Sequence, residues 1–140
     1  MQTGSNKSVV QSFVEAWNTR DLGRFDDLMA DDARLTVGGA TMSCSPMATR
    51  AIAEHWLDGF PDYRFELLQL IADGDLVAAR MPFSGTHTGH VLDLRATGRR
   101  VEVGEIVIFR VVDGRIVEAW EEWDEYGMRQ QLGGTRLAAE

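Results

Sequence analysis

Glu105 and Glu121 are the residues whose setting most invites chemistry. They stand in the runs VEVGEIVIFR and RIVEAWEEW, where apolar side chains recur at period two. A three-residue turn at Val112-Asp113-Gly114, pairing residue 111 with 115, zips these runs into a hairpin. That register sets Val103 opposite Trp123, Glu105 opposite Glu121, Val107 opposite Ala119 and Phe109 opposite Val117. A two-residue turn at Asp113-Gly114 would slip the pairing by one, separate the glutamates and mix polar with apolar residues on each face. The three-residue turn is therefore the better reading. Two carboxyls abreast on an apolar face cannot both ionise cheaply, because desolvation and like-charge repulsion each raise a pKa. One then holds its proton near neutrality, and the pair supplies an acid and a base for proton transfer. Two plainer arrangements stay open from sequence: a face wet enough to solvate both, or an Arg from elsewhere paired with one.

The remaining chemical groups point less sharply. Asp124 faces away from Glu121 by parity and stands where a final short helix needs its N-cap, so it reads as structural, and Glu122 shares that outward parity. His55 shares a helix with Ile52 and Trp56, where it either looks into a pocket or packs at its edge. His87 and His90 in SGTHTGH loosely resemble a metal pair, but only Asp93 offers a third ligand, so no metal is expected. Cys44 has no basic neighbour in sequence and reads as a buried, inert thiol. Neither a P-loop nor a dinucleotide-binding glycine pattern occurs, so the chain is expected to work without a cofactor. With 14 Lys and Arg against 22 Asp and Glu, the net charge of −8 argues against nucleic acid and anionic membrane as partners. The first twenty residues lack a signal-peptide core and no apolar run is long enough to span a bilayer, so a cytoplasmic protein is expected.

The elements that must position these groups follow from periodicity. At 140 residues and 44% hydrophobic, the chain suits one domain, residues 1–140, with soft ends at residues 1–6 and at Gly133-Gly134. Val10, Phe13, Val14 and Trp17 form one stripe of a first helix. Asp21 is placed to cap a short second helix carrying Leu22, Phe25, Leu28 and Met29. Gly38-Gly39 turns a hairpin between residues 34–37 and 40–43, and Ser45 caps a third helix that has Pro46 at its first position and ends near Phe60-Pro61. A further hairpin, with a three-residue turn at Ala72-Asp73-Gly74, sets Tyr63 opposite Phe83, Phe65 opposite Met81, Leu67 opposite Ala79 and Glu66 opposite Arg80. Helices followed by a long twisted antiparallel sheet make an α+β domain with helices over one concave face. Trp17, Trp56, Phe60, Tyr63, Phe65, Phe83, Phe109 and Trp123, with His55 at the edge, are the candidate lining of a cavity for a planar, mostly apolar ligand. Ile106, Ile108, Ile116 and Trp120 fall on the opposite sheet face, an apolar patch that predicts a homodimer or higher oligomer.

The runs FPDYRFEL, SGTHTG, ATGRRVEV and FRVVDGRIVEAWEEWDEYGMRQQLG together resemble the SnoaL-like polyketide cyclase family, over about residues 8–133. The resemblance implies the ketosteroid-isomerase-like fold of the nuclear-transport-factor-like superfamily. That fold is a cone-shaped barrel of curved antiparallel sheet, covered on its concave face by three helices, with the ligand in its mouth. It also implies cofactor-free intramolecular aldol ring closure of aromatic polyketide esters, with a last-strand aspartate as the acid–base group. Glu121 stands at that position, Glu105 at a polar position across the strand, and Val107 and Ala119 where cyclases carry accompanying histidines. The function expected is acid–base catalysis on a small hydrophobic carbonyl compound. The alternatives are a non-catalytic binding or assembly module of the same fold, or an accessory hydroxylase or epoxide-opening enzyme. Epoxide opening ranks lower, because Arg110 has the wrong parity for the glutamate face.

Overall fold

The computed structural model describes residues 2–133, and its first element already departs from the sequence expectation. Helix α1 runs Gln2–Thr19, so the segment before residue 7 is helical instead of soft. Asn6 explains the docking: it is buried and donates its side-chain N–H to the Gly74 carbonyl at 3.1 Å. Met1 and Gly134 lie outside the described residues. The predicted stripe holds, with Val10, Val14 and Trp17 buried and Phe13 packed against the core. Asp21 makes no capping hydrogen bond, and a 3-10 turn, Leu22–Arg24, leads into α2, Phe25–Leu28. Met29 already opens strand β1, Met29–Val37.

Strand β2 spans Ala40–Ser43 and pairs with β1 through the Gly38-Gly39 turn, where φ values of 55° and 87° need glycine. Helix α3, Pro46–Gly59, starts as read: Ser45 accepts from the Ala48 N–H, and Pro46 occupies the first turn, where an N–H has no partner to lose. Strands β3 (Arg64–Phe65), β4 (Gln69–Asp73), β5 (Leu76–Arg80), β6 (Phe83–Thr86), β7 (Arg100–Val103), β8 (Glu105–Val112) and β9 (Arg115–Trp123) follow, and α4, Glu125–Gln131, closes the described chain. The larger sheet has the order β2-β1-β9-β8-β5-β4, and a smaller one the order β3-β6-β7. Helices α1, α2 and α3 pack on the larger sheet, so the α+β class holds. The sheet is mixed instead of wholly antiparallel, because β1 runs parallel to β9. These strands are remote in sequence, so no hairpin fixes their direction.

Both long hairpins pair differently from the expected registers. The β4–β5 turn is two residues, Gly74 and Asp75, with Asp73 opposite Leu76, Ile71 opposite Ala78 and Gln69 opposite Arg80. Arg80 therefore bonds Gln69 (Nε to Oε1, 2.7 Å) and not Glu66. Phe83 sits across from Phe65 instead of Tyr63. The stretch 66–68 lies outside regular strand. It resets parity, so Phe65, Leu70 and Ala72 turn inward while Ile71 is exposed. At β8–β9 the turn is again two residues, with Asp113 at φ 51° and Gly114 at φ 78°, the left-handed pair of a type I′ turn. Val112 pairs with Arg115 and Val111 with Ile116, and then a bulge absorbs Val117, so that Arg110 meets Glu118. Ile116 is consequently fully buried, and the convex face carries Ile71, Ile106, Ile108 and Val112 instead. Among the described residues no helix is long and apolar enough to cross a membrane.

Candidate active site

The bulge decides where the two glutamates go. Without it, the two-residue turn would send Glu121 to the convex face; absorbing Val117 restores the parity of the rest of β9. Glu105 lies opposite Trp123, and Glu121 lies opposite Val107. The glutamates are thus diagonal neighbours on one face and not directly opposed, a separation that long side chains bridge. Both open on a cavity of about 400 Å³ between the sheet and the helices.

Glu105 is 6% exposed and Glu121 half-buried. Among the described residues, no Lys or Arg forms an ion pair with either carboxyl. Burial pushes the pKa of Glu105 well above the usual carboxylate range, and the Glu121 charge and a hydrogen bond to Glu121 push it further. Glu105 is therefore the member of the pair that keeps its proton, next to the more accessible Glu121. Asp124 takes no part in this pair: it accepts the Gly127 N–H at 2.8 Å as the N-cap of α4, and Glu122 is exposed.

Rings close the cavity round this pair. Trp17 comes from α1, Trp56 from α3, Tyr63 and Phe65 from the segment after α3, Phe83 from β6, Phe109 from β8 and Trp123 from β9. Tyr63 stacks on Phe83 (centroids 4.7 Å apart, planes 10° apart) and meets Trp17 and Phe65 at 5.1 and 5.0 Å. Asn18 fixes this cluster, because its side-chain amide exchanges two hydrogen bonds with the Phe65 backbone at 3.0 and 2.9 Å. Asp62 fixes it from the other side by accepting both the N–H and the hydroxyl of Thr86, at 2.7 and 2.8 Å.

Two candidate lining residues lie elsewhere. Phe60 is wholly buried behind the cavity, stacked on Trp56, because the helix ends there and turns its side chain into the core. His55 is exposed on the outer side of α3, where its Nε2 accepts the Leu92 N–H at 3.1 Å. His87 is fully buried against Phe60, and its Nδ1 accepts the Thr97 N–H at 3.2 Å. Burial, and then His90, hold its pKa below the usual histidine value. Asp93 is engaged by Arg129, and among the described residues no three His, Cys, Asp or Glu side chains gather as metal ligands. Cys44 lines the cavity as a buried thiol, pushed up to about 11 by burial against a smaller pull from Arg34.

Sequence reasoning missed the rim. Leu92, Glu125 and Arg129 border the cavity, and Arg129 bridges Asp93 (2.8 Å) and Glu125 (2.9 Å). Glu125 and Arg129 at i,i+4 on a helix were a readable signal; Leu92, on a loop with φ 51°, offered none. Leu35 and Val37 also line the cavity, and their alternation before Gly38-Gly39 was there to be used.

The aklanonic acid methyl ester cyclases DnrD of Streptomyces peucetius and DauD of Streptomyces sp. strain C5 are each 30% identical over 132 residues. That span is 89% of this chain, and 88% and 80% of theirs. Among solved structures, TsrD from Streptomyces laurentii is 32% identical with a TM-score of 0.84, covering 94% of this chain and 96% of its own. A SnoaL-like polyketide cyclase from Agrobacterium tumefaciens C58 is 25% identical with a TM-score of 0.78, covering 95% of this chain and 100% of its own. The family model for SnoaL-like polyketide cyclase matches residues 7–132, which take in the paired glutamates, the aromatic walls and the rim alike, and the chain belongs to that family.

Proposed function

We propose that the protein is a cofactor-independent acid–base enzyme that closes a ring in a small, hydrophobic, carbonyl-bearing substrate by intramolecular aldol addition. The observation that carries this reading is the Glu105–Glu121 pair: two carboxyls on one face of the sheet, lining an apolar cavity, with no Lys or Arg in an ion pair with either among the described residues. Such a pair is costly to bury, so its setting is that of a functional group.

Glu121, the more accessible carboxylate, takes a proton from a methylene group flanked by carbonyls. The C–H electron pair moves onto a carbonyl oxygen as an enolate. The enolate carbon then attacks a second carbonyl carbon of the same molecule, and the alkoxide so formed takes the proton back from Glu121. No atom is gained or lost. Glu105, holding its own proton next to Glu121, keeps that carboxylate from drifting. The aromatic walls suit a planar polyketide, and the two curated relatives are named for cyclising aklanonic acid methyl ester.

The test is Glu121→Gln, which preserves shape and removes titration. With aklanonic acid methyl ester as the first substrate, followed by chromatography, turnover is expected to fall by a factor on the order of 10² to 10⁴. Turnover by the variant at the native rate would remove Glu121 from the mechanism.

A further inference from the structure

The reaction just described develops negative charge on a carbonyl oxygen, and the donors round the cavity are mostly committed elsewhere. Thr49 donates its hydroxyl to the Cys44 carbonyl at 2.9 Å. Arg129 is held at the rim by Asp93 and Glu125. Trp17 Nε1 is sealed among protein atoms without a partner. Glu105 keeps its proton next to Glu121. Tyr63 differs from all of these. Its ring is held by Phe83, Trp17 and Phe65, while its hydroxyl bonds no group among the described residues and is not among the sealed polar atoms. Tyr63 lines the cavity together with both glutamates.

We propose that the Tyr63 hydroxyl is the hydrogen-bond donor for the oxyanion that forms beside Glu121, a role that rests on the ring closure described above. The phenol gives a hydrogen bond and keeps its proton throughout, so the proton ledger of the reaction is unchanged. Burial first, and then Glu105 and Glu121, hold its pKa well above the usual phenol value, which leaves a neutral donor at working pH. The clamped ring suits the task, because a donor already aimed at the developing charge needs no reorganisation when the charge appears. The hydroxyl also has a structural cost: it finds no acceptor among the described residues, so the site keeps an open donor that a hydrophobic residue would not.

The experiment uses 2-naphthol, a planar aromatic whose oxygen carries charge in its ionised form and whose absorbance reports that ionisation. Native protein is expected to bind it, and Tyr63→Phe to bind it on the order of 10- to 100-fold more weakly, the loss of one hydrogen bond to a charged oxygen. Turnover of aklanonic acid methyl ester should fall by a similar factor through kcat, with KM little changed. Tyr63→Phe binding 2-naphthol as tightly as native protein overturns the proposal, and so does native protein that fails to bind it at millimolar concentration. Replacing both tyrosines by 3-fluorotyrosine guards against a variant that does not fold. The chain has two, and Tyr126 is 66% exposed, so the Tyr63 fluorine signal is distinguishable. The more acidic fluorophenol should bind 2-naphthol more tightly and its signal should move on binding; an unmoved signal counts against the role. Glu121→Gln separates the two readings. If it abolishes turnover while Tyr63→Phe changes nothing, the aldol mechanism stands and the donor assignment falls; if it changes nothing, the mechanism itself falls.

Discussion

The cavity carries two pairs of acidic residues, one on its floor and one at its rim, and they live under opposite electrostatics. On the floor, Glu105 and Glu121 face each other with no cation among the described residues, and burial lifts Glu105 well above the carboxylate range. At the rim, Asp93 and Glu125 share Arg129, and the Arg129 hydrogen bond draws Asp93 below that range. The same functional group thus holds a proton in one setting and a charge in the other. The floor is fixed by strand pairing and ring stacking, whereas the rim joins α4 to a loop. That loop is seated tightly at its base, since a Cβ on Gly89 would overlap the Asp58 carbonyl, but it is held at its tip by exposed polar contacts. Floors of this kind suit proton transfer, and rims of this kind suit entry and release of a ligand.

The largest effect that would break the contrast comes from Glu105→Gln. The folded-state pKa of Glu105 is raised, so above the ordinary value near 4.5 the folded protein keeps a proton that the unfolded chain has released. Its contribution to stability is complete below that value and drains away as pH rises through the raised one. Gln keeps a donor toward Glu121 and does not titrate. Urea unfolding from pH 4 to pH 9 should therefore give a native protein that weakens with rising pH and a variant that lacks this slope. The variant should be the more stable of the two at the alkaline end. Parallel curves would mean that Glu105 is solvated and that the floor differs little from the rim.

The floor was legible in the sequence and the rim was not, for a physical reason. Period-two runs put both glutamates on an apolar face, and that inference needed only parity. The partner assignment failed because turn length and bulges trade one residue against another. The Asp113-Gly114 turn is one residue shorter than expected, and the bulge at Val117 absorbs one more, so the face survived while the register moved by two. At Gly74-Asp75 the slip was odd, and Ile71 changed sides. Local signals fared best: Ser45 with Pro46, Gly38-Gly39 and Asp124 each act within four residues of themselves. The Asp93–Arg129 contact joins residues 36 apart across an irregular loop, and no periodicity encodes that.

A smaller effect sharpens the contrast from the other end. Arg129→Gln removes the cation shared by Asp93 and Glu125 and leaves two like charges facing across the mouth. These are exposed groups, so the melting temperature should drop by only a few degrees or less. Ligand exchange should change more: 2-naphthol is expected to associate and dissociate several-fold faster, with its equilibrium affinity changed little, in stopped-flow absorbance. Asp93→Asn should give a weaker version of the same change, because Arg129 keeps Glu125. It also carries a pH signature opposite to that of the floor. Asp93 is lowered, so its hold on Arg129 is present above the ordinary aspartate value and is lost as pH falls through the depressed one. Native exchange rates should rise in acid toward those of Asp93→Asn, and the variant should lack that acid limb. Equal rates at every pH would show that the Asp93–Arg129 contact does not gate the mouth, and the access path would then lie along another wall of the cavity.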